Sequence, residues 1–297
     1  MSDILPVTDG HLREFTTPEQ REEDALMVRT LQSHARTAYH LTLTRPAVPA
    51  AQCTSGVLDT KAGGIGFVSQ SEGIPTCGDC QGPLSLVAQI NLAQMPEEVQ
   101  ETLRLGDEGL IQVYICESPD GACESWEAFS ECHCVRFVPE DELENARTRE
   151  DIVALYTAAL GAEGVEERGE YAAPVPYTES PVTSVVRFTQ DFPKSDELTA
   201  ALREHPELTE EQTEGLADHQ YDRELAEGTG LYIGGWFNWC QGEEYPDCPE
   251  CGQTMNGTVL NIESLAVIDL MLGDCGTAQI CQCPTHERQM TMVWACG

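Results

Sequence analysis

The sequence predicts an internally duplicated α+β protein with mostly antiparallel sheets, a few flanking helices and two zinc-knuckle-like hairpins. Two observations lead to this prediction. One set of glycine and cysteine positions occurs twice along the 297 residues. Strand-like segments of alternating polarity also mix with a few helical segments, without the regular strand–helix alternation of a doubly wound sheet.

The repeated set consists of a glycine pair, a Cys-x-x-Cys pair, a Gly-Asp-x-Gly-x-x-Gln segment and a further cysteine. Its members are Gly63–Gly64, Cys77, Cys80, Gly106–Gln112 and Cys116 in the first copy, and Gly234–Gly235, Cys248, Cys251, Gly273–Gln279 and Cys283 in the second. In both copies the first cysteine lies thirteen residues after the second glycine, and the last lies ten residues after the start of the glutamine segment. We therefore expect one structural unit to occur twice.

The N-terminal residues 1–37 are predicted to form a helical segment. A capping box at Thr17–Gln20, with proline at the first helical position, predicts a helix from Pro18 to about Arg36. The alternating residues Tyr39–Thr44 predict a strand that opens the first repeat.

The first repeat is assigned to residues 38–140. The segment Leu84–Leu92 alternates apolar and mostly polar residues and predicts a half-buried strand, and Leu110–Ile115 predicts another after a glycine turn. Residues 141–182 then join the repeats, as a helix that starts near Thr148 and stops at Gly161, followed by an exposed linker up to Pro181.

The second repeat is assigned to residues 183–297. A short strand is predicted at Val185–Thr189. A second capping box at Thr209–Gln212 predicts an acidic helical stretch up to about Glu227. The glycine pair, the cysteine hairpin and the closing strands follow.

Each cysteine hairpin is predicted to hold a structural zinc ion. A Cys-x-x-Cys turn places two thiolates on one metal, and zinc prefers four soft or borderline ligands in a tetrahedron. In the second repeat the predicted ligands are Cys248, Cys251, Cys283 and His286, with Cys275, Cys281 and Cys296 as competitors. In the first repeat they are Cys77, Cys80, Cys116 and Cys123, with Cys132, His133 and Cys134 competing for the fourth place.

Four soft ligands for each metal indicate closed structural sites, because a catalytic zinc keeps one position open for water. The order His-x-Glu before Cys-x-x-Cys occurs in deaminases, and His205–Glu207 precedes the second pair. However, no proline directly precedes either first cysteine, which argues against a deaminase. The sequence predicts no catalytic residue and no bound organic cofactor.

The charge of the chain is strongly negative, with 16 basic and 51 acidic residues and a formal net charge of −35. Such a surface repels nucleic acid and anionic lipid, so neither is an expected partner. It suits a basic partner protein, or a salt-rich cytoplasm that screens the self-repulsion.

We expect a cytoplasmic location. The N-terminal residues lack a basic start and an apolar run, and no run of eighteen apolar residues occurs. Fourteen cysteines in such a chain favour metal or redox roles over disulfides.

The chain resembles the YwqG-like family of uncharacterised bacterial proteins. The segments that carry this resemblance are Ala62–Ile65, Leu86–Leu92, Gly106–Tyr114 and Ile233–Trp236. The resemblance implies a duplicated α+β fold and no assigned activity. The cysteine hairpins are also similar to those of the programmed cell death protein two family, whose members are implicated as escorts of a basic ribosomal protein.

The leading functional hypothesis is a non-enzymatic, zinc-stabilised protein-binding module, a chaperone or escort for a basic client. One alternative is an immunity or antitoxin protein that masks a basic toxin. Another is an enzyme of unknown reaction with an open metal site. The sequence leaves the oligomeric state undetermined.

Overall fold

Ten strands form one antiparallel sheet in the computed structural model, which describes residues 29, 32–44, 55–117, 123–167, 177–193, 195–203, 208–210, 213, 230–264, 268–274 and 276–297. The strands are β1 (Arg36–Leu43), β2 (Lys61–Ala62), β3 (Ser85–Asn91), β4 (Leu110–Ile115), β5 (His133–Val138), β6 (Ser180–Asp191), β7 (Leu231–Gly234), β8 (Gly257–Glu263), β9 (Thr277–Gln282) and β10 (Met290–Ala295). Their order across the sheet is β10-β9-β8-β7-β1-β6-β2-β3-β4-β5, and every neighbouring pair is antiparallel. The predicted α+β class with antiparallel strands is confirmed, with the sheet as its dominant part.

The sheet is nearly closed, because its edge strands β5 and β10 lie beside each other. His133 Nε2 at the start of β5 lies 3.3 Å from the Thr291 hydroxyl on β10. The main apolar core lies inside and combines strands from both halves, including Leu41 on β1, Ile90 on β3 and Ile262 on β8. Alternation along each strand sends these side chains to one face, and burial of that face stabilises the sheet.

The two flanks of the sheet have the same layout. The strands β2-β3-β4-β5 form one meander and β7-β8-β9-β10 form the other, with β1 and β6 between them. Five antiparallel steps separate β3 from β8, so these two strands run in opposite directions. The cysteine hairpins that precede them therefore lie at opposite ends of the sheet.

Four helices flank the strands in the described part of the chain: α1 (Glu97–Leu103), α2 (Glu140–Leu143), α3 (Arg149–Glu167) and α4 (Ser195–Arg203). Helix α1 buries Val99 and Leu103 and ends at Arg104, which has a left-handed φ of 56°. Helix α3 is interrupted at Gly161, where φ is 68°, at the position predicted as a helix stop. Among the described helices, none is long and apolar enough to cross a membrane.

A carboxylate from each end of β6 holds one of the two glycine turns. The Ile65 N–H donates to Glu179 at 3.0 Å, and the Trp236 N–H donates to Asp191 at 2.5 Å. The glycines before them have φ values between 66° and 72°, in the left-handed region that favours glycine. In both halves, a buried carboxylate thus accepts a backbone N–H that follows the glycine pair.

Several predicted elements differ from the observed ones. The helix predicted to reach Arg36 lies mostly outside the described residues, and Arg36 itself opens β1. The predicted strand at Val185–Thr189 is part of the longer β6. Most of the helix predicted from Thr209 lies outside the described residues. The strands β2, β5 and β7 and the helices α1, α2 and α4 were not predicted.

Two predictions about exposure were wrong. Strand β3 is buried on both faces rather than half-buried, because Gln89 on its second face is fully covered and donates to the carbonyls of Val57 and Asp59. The end of the predicted exposed linker is also buried. Glu179 there is fully buried and pairs with Lys61 at 3.4 Å and with Arg149 at 2.8 Å.

Candidate metal centres

The structure brings together the four residues predicted as ligands in each half. The first cysteine cluster consists of Cys77, Cys80, Cys116 and Cys123, and the second cysteine cluster consists of Cys248, Cys251, Cys283 and His286. Within each cluster the four ligand atoms lie within 4.8 Å of one another. Both clusters are therefore geometrically able to hold a metal ion.

Both Cys-x-x-Cys turns are shaped by the same backbone hydrogen bonds. The Cys77 N–H donates to the Gly82 carbonyl and the Cys248 N–H donates to the Gln253 carbonyl, each at 2.8 Å. Four residues after the first cysteine, Gln81 and Gly252 adopt left-handed φ values of 60° and 69°. This turn lets the sulfurs of both cysteines in the turn point to one centre.

The third ligand of each cluster comes from the end of the strand next to an edge of the sheet. Cys116 directly follows β4, and Cys283 directly follows β9. The N–H groups of Thr285 and His286 lie 3.4 and 3.2 Å from the Cys283 sulfur and donate to it. These two contacts fix the position of the Cys283 sulfur at the end of β9.

His286 completes the second cluster through its Nδ1 atom. This nitrogen lies 3.6 Å from the Cys248 sulfur and 3.9 Å from the Cys283 sulfur. The other ring nitrogen, Nε2, faces a carboxylate oxygen of Glu250 at 3.6 Å. A carboxylate behind a ligating imidazole fixes its tautomer and orientation, so Glu250 is placed to support His286.

The first cysteine of each turn is held as a partial thiolate near neutral pH. Burial raises the pKa of Cys77, but backbone N–H groups of Cys80 and Asp79 and neighbouring thiols outweigh it and lower this pKa to about 7. Burial likewise raises the pKa of Cys248, while His286 and the backbone N–H groups of the turn lower it to about 6. A deprotonated thiol is the form that binds metal.

The competing residues of the first repeat occupy three different environments. Cys132 lies beside the first cluster, where its thiol donates to Asp79 at 3.0 Å. The His133 ring contacts the Ser125 carbonyl and the Thr291 hydroxyl instead. Cys134 lies next to the charge of Arg136, and burial raises its pKa. Of these three, the structure places only Cys132 within reach of the cluster.

Two of the three competing residues in the second half, Cys281 and Cys296, do not belong to the second cluster. Cys281 is buried in the small apolar cluster that also contains Phe237 and Trp239, and burial raises its pKa. Cys296 lies near Gly273, away from the turn. Cys275 falls outside the described residues.

Three supporting residues were missed by sequence reasoning. Glu250 and Asp79 lie inside the Cys-x-x-Cys turns, so an acidic residue between the two cysteines of both copies was the available signal. Arg104, which follows α1 in the first half, donates to the Pro284 carbonyl at 2.9 Å and to the Cys283 carbonyl at 3.4 Å. No local pattern in the sequence could have linked Arg104 to a cluster about 180 residues away.

Comparison with known protein families places residues 60–282 in one family, described as "Domain of unknown function (DUF1963)". The matched region contains all of the first cluster and the Cys-x-x-Cys turn of the second. A search of curated proteins found no match. Because the matched residues make up most of its length, the chain belongs to the family of the domain of unknown function DUF1963.

Proposed function

We propose that the two clusters bind zinc and that these ions are structural. Three or four thiolates with at most one imidazole form the ligand set that zinc prefers in tetrahedral structural sites. The proposed ligands number four at each cluster, which leaves no position for a reacting water molecule. This ligand set favours a structural role over the alternative of an enzyme with an open metal site.

We further propose that the two halves are copies of one structural unit. The repeated cysteine and glycine spacing, the two four-strand meanders and the matching carboxylate contacts to the glycine turns support this proposal.

The proposed function is a protein-binding module that acts as a chaperone or escort for a basic client. The observation that carries it is a pair of exposed aromatic side chains beside the first cluster. Trp126 and Phe129 are each 41% exposed, and they lie in the loop between Cys123 and β5. Exposed aromatic residues in a fixed loop are typical anchors of a binding surface.

The loop is held firmly by the opposite edge of the sheet. The Trp294 N–H on β10 donates to the Trp126 carbonyl at 3.3 Å, and the two indole rings meet edge to face at 6.2 Å. The Phe129 N–H donates to the Thr291 hydroxyl at 2.7 Å. A loop fixed in this way loses little conformational entropy when it binds a partner.

Acidic side chains surround the two aromatic rings in sequence. Glu124, Glu127 and Glu131 are exposed and flank Trp126 and Phe129, and no basic residue lies between them. An arginine-rich segment would pair with the carboxylates and stack on the rings. The net charge of −35 would steer such a client to the surface. The similarity of the cysteine hairpins to the programmed cell death protein two family supports the same class of client.

The test uses the zinc-loaded chain and a capped synthetic peptide of alternating arginine and leucine. Calorimetry at low salt should detect binding to wild type. Replacing Trp126 and Phe129 by alanine should raise the Kd by about tenfold or more, because aromatic anchors contribute most of the binding energy. Met271→Ala, which removes another exposed apolar side chain from a different loop, is the matched control and should leave the Kd unchanged.

Salt dependence separates charge steering from apolar contact. Binding should weaken as salt increases, and Glu124→Gln combined with Glu127→Gln should reduce this dependence. A pull-down from a cell extract at low and high salt extends the test to natural clients. If wild type binds neither the peptide nor any basic protein at low salt, the proposed function is wrong.

A further inference from the structure

We propose that Cys123 and Cys132 are alternative fourth ligands of the first cluster, so that its metal can exchange one thiolate for the other. The inference rests on the proposed binding of zinc at this cluster. It does not depend on the identity of the client.

The geometry places the two thiols in overlapping groups. The sulfurs of Cys123 and Cys132 and a carboxylate oxygen of Asp79 all lie within 4.8 Å of one another. Cys123 also belongs to the group formed with Cys77, Cys80 and Cys116. Cys132 is grouped with Cys123 but not with Cys77, Cys80 or Cys116, so its sulfur lies beside the cluster, next to the Cys123 sulfur. A fifth thiol thus adjoins a cluster whose proposed metal needs four ligands.

The two candidate ligands are held by different parts of the fold. Cys132 is tied to the sheet, because its carbonyl accepts the Cys116 N–H at 2.9 Å and its own N–H donates to the Ser130 hydroxyl at 3.1 Å. Cys123 instead lies at the start of the loop that carries Trp126 and Phe129. An exchange from Cys123 to Cys132 would free that end of the loop while the metal stays bound.

Asp79 keeps the exchange neutral in charge. When Cys123 is the ligand, Cys132 donates its proton toward Asp79 across 3.0 Å. In the exchange, the Cys132 sulfur forms a bond to the metal and gives its proton to Asp79. The bond from the metal to the Cys123 sulfur breaks, and the released thiolate takes up that proton. Four thiolates hold the metal before and after the exchange.

Among the described residues, the second cluster has no thiol grouped with it besides its own three cysteines. The Cys283 N–H donates to the Gln289 carbonyl, as the Cys116 N–H donates to the Cys132 carbonyl. Gln289 therefore occupies the place that Cys132 has in the first half. The second cluster serves as an internal control for exchange at the first.

The test measures zinc per chain in purified full-length variants by elemental analysis and native mass spectrometry. Wild type should carry two zinc ions. Cys123→Ser and Cys132→Ser should each keep two, because one of the two thiols remains, and the double variant should keep one. Cys134→Ser is the matched control, since this thiol lies two residues from Cys132 and outside the ligand groups. Circular dichroism and zinc retained at the second cluster verify that each variant is folded.

Exchange with added Cd²⁺ provides a second readout. Replacement of zinc at the first cluster should be faster than at the second, and Cys132→Ser should slow it by about tenfold, which corresponds to roughly 1.4 kcal/mol of barrier. If either single variant, Cys123→Ser or Cys132→Ser, carries only one zinc ion, the proposal is overturned. Wild type with fewer than two zinc ions would overturn the proposed zinc binding and this inference together, whereas failure to bind the peptide would affect only the proposed client.

Discussion

At the scale of single residues, the supporting side chains decide how well each cluster can hold a metal. His286 offers Nδ1 to the second cluster because its other nitrogen faces Glu250 at 3.6 Å. Glu250 also accepts a hydrogen bond from Gln289. The carboxylate is therefore held in place on the side of the ring that faces away from the sulfurs.

We expect Glu250→Gln to lower the affinity of the second cluster for zinc by about 10- to 100-fold, the usual effect of removing a residue behind a metal ligand. Competition with a chromogenic chelator measures this affinity. Glu244→Gln makes the same change of charge at an exposed position in the segment before the turn and should have little effect. An equal loss of affinity in both variants would mean that Glu250 acts only through its charge.

The stability of the metal-free protein should depend on pH because Cys248 titrates. Its pKa of about 6 lies below the 9.0 of an ordinary thiol. A group with a lowered pKa stabilises the fold above its unfolded pKa and loses this contribution as pH falls through its folded pKa. The free energy of unfolding should therefore decrease as pH falls from 9.0 to about 6. Urea unfolding across this range should show a flatter profile for Cys248→Ser, and identical profiles would contradict the assignment.

At the scale of elements, helix α1 links the first half to the second cluster. Gln282 at the end of β9 donates to the Leu103 carbonyl at 2.9 Å and accepts from Arg104 at 3.0 Å. Arg104 also reaches two carbonyls around Cys283. The end of α1 thus supports the strand end that carries the third ligand of the second cluster.

Arg104→Met should lower the free energy of unfolding by about 1–2 kcal/mol, because it removes these hydrogen bonds and keeps much of the side-chain volume. Zinc should also leave the second cluster faster than it does in wild type. Denaturant unfolding and cadmium exchange measure the two effects. Glu101→Gln, on an exposed position of α1, is the control. A stability loss without any change in exchange would show that Arg104 does not support the cluster.

At the scale of the whole molecule, one nearly closed sheet connects the two clusters. The core inside it combines residues from both meanders, and contacts between β5 and β10 join the edges. The clusters lie at opposite ends, each beside the first turn of a meander. Loss of metal at either end is therefore expected to affect the same cooperative unit.

Removal of both metals should lower Tm by about 10 °C or more in a single transition, because binding energy at structural zinc sites adds to folding energy. Scanning calorimetry with and without a chelator measures this shift, with elemental analysis to verify removal. Cys80→Ser and Cys251→Ser, which disrupt one cluster each, should give intermediate values. Two separate transitions would show that the halves unfold independently.

Local spacing by itself determined much of this protein. The sequence predicted the antiparallel α+β class. It also predicted the strand at Leu110–Ile115, which is β4 with the same bounds. The eight predicted ligands are the residues that the structure gathers into two groups. The physical reason is that a Cys-x-x-Cys turn and an alternating strand are short-range patterns, and their geometry depends on a few adjacent residues.

Only the tertiary structure decided the rest, because it depends on contacts between distant parts of the chain. Burial of Glu179 requires Lys61 and Arg149 to converge on it, and the position of Arg104 requires α1 to reach the opposite half. Trp126 is two-fifths exposed, and Trp294 on β10 meets it edge to face and holds its loop at the seam of the sheet. These outcomes follow from closing ten strands into one sheet, which no local pattern specifies.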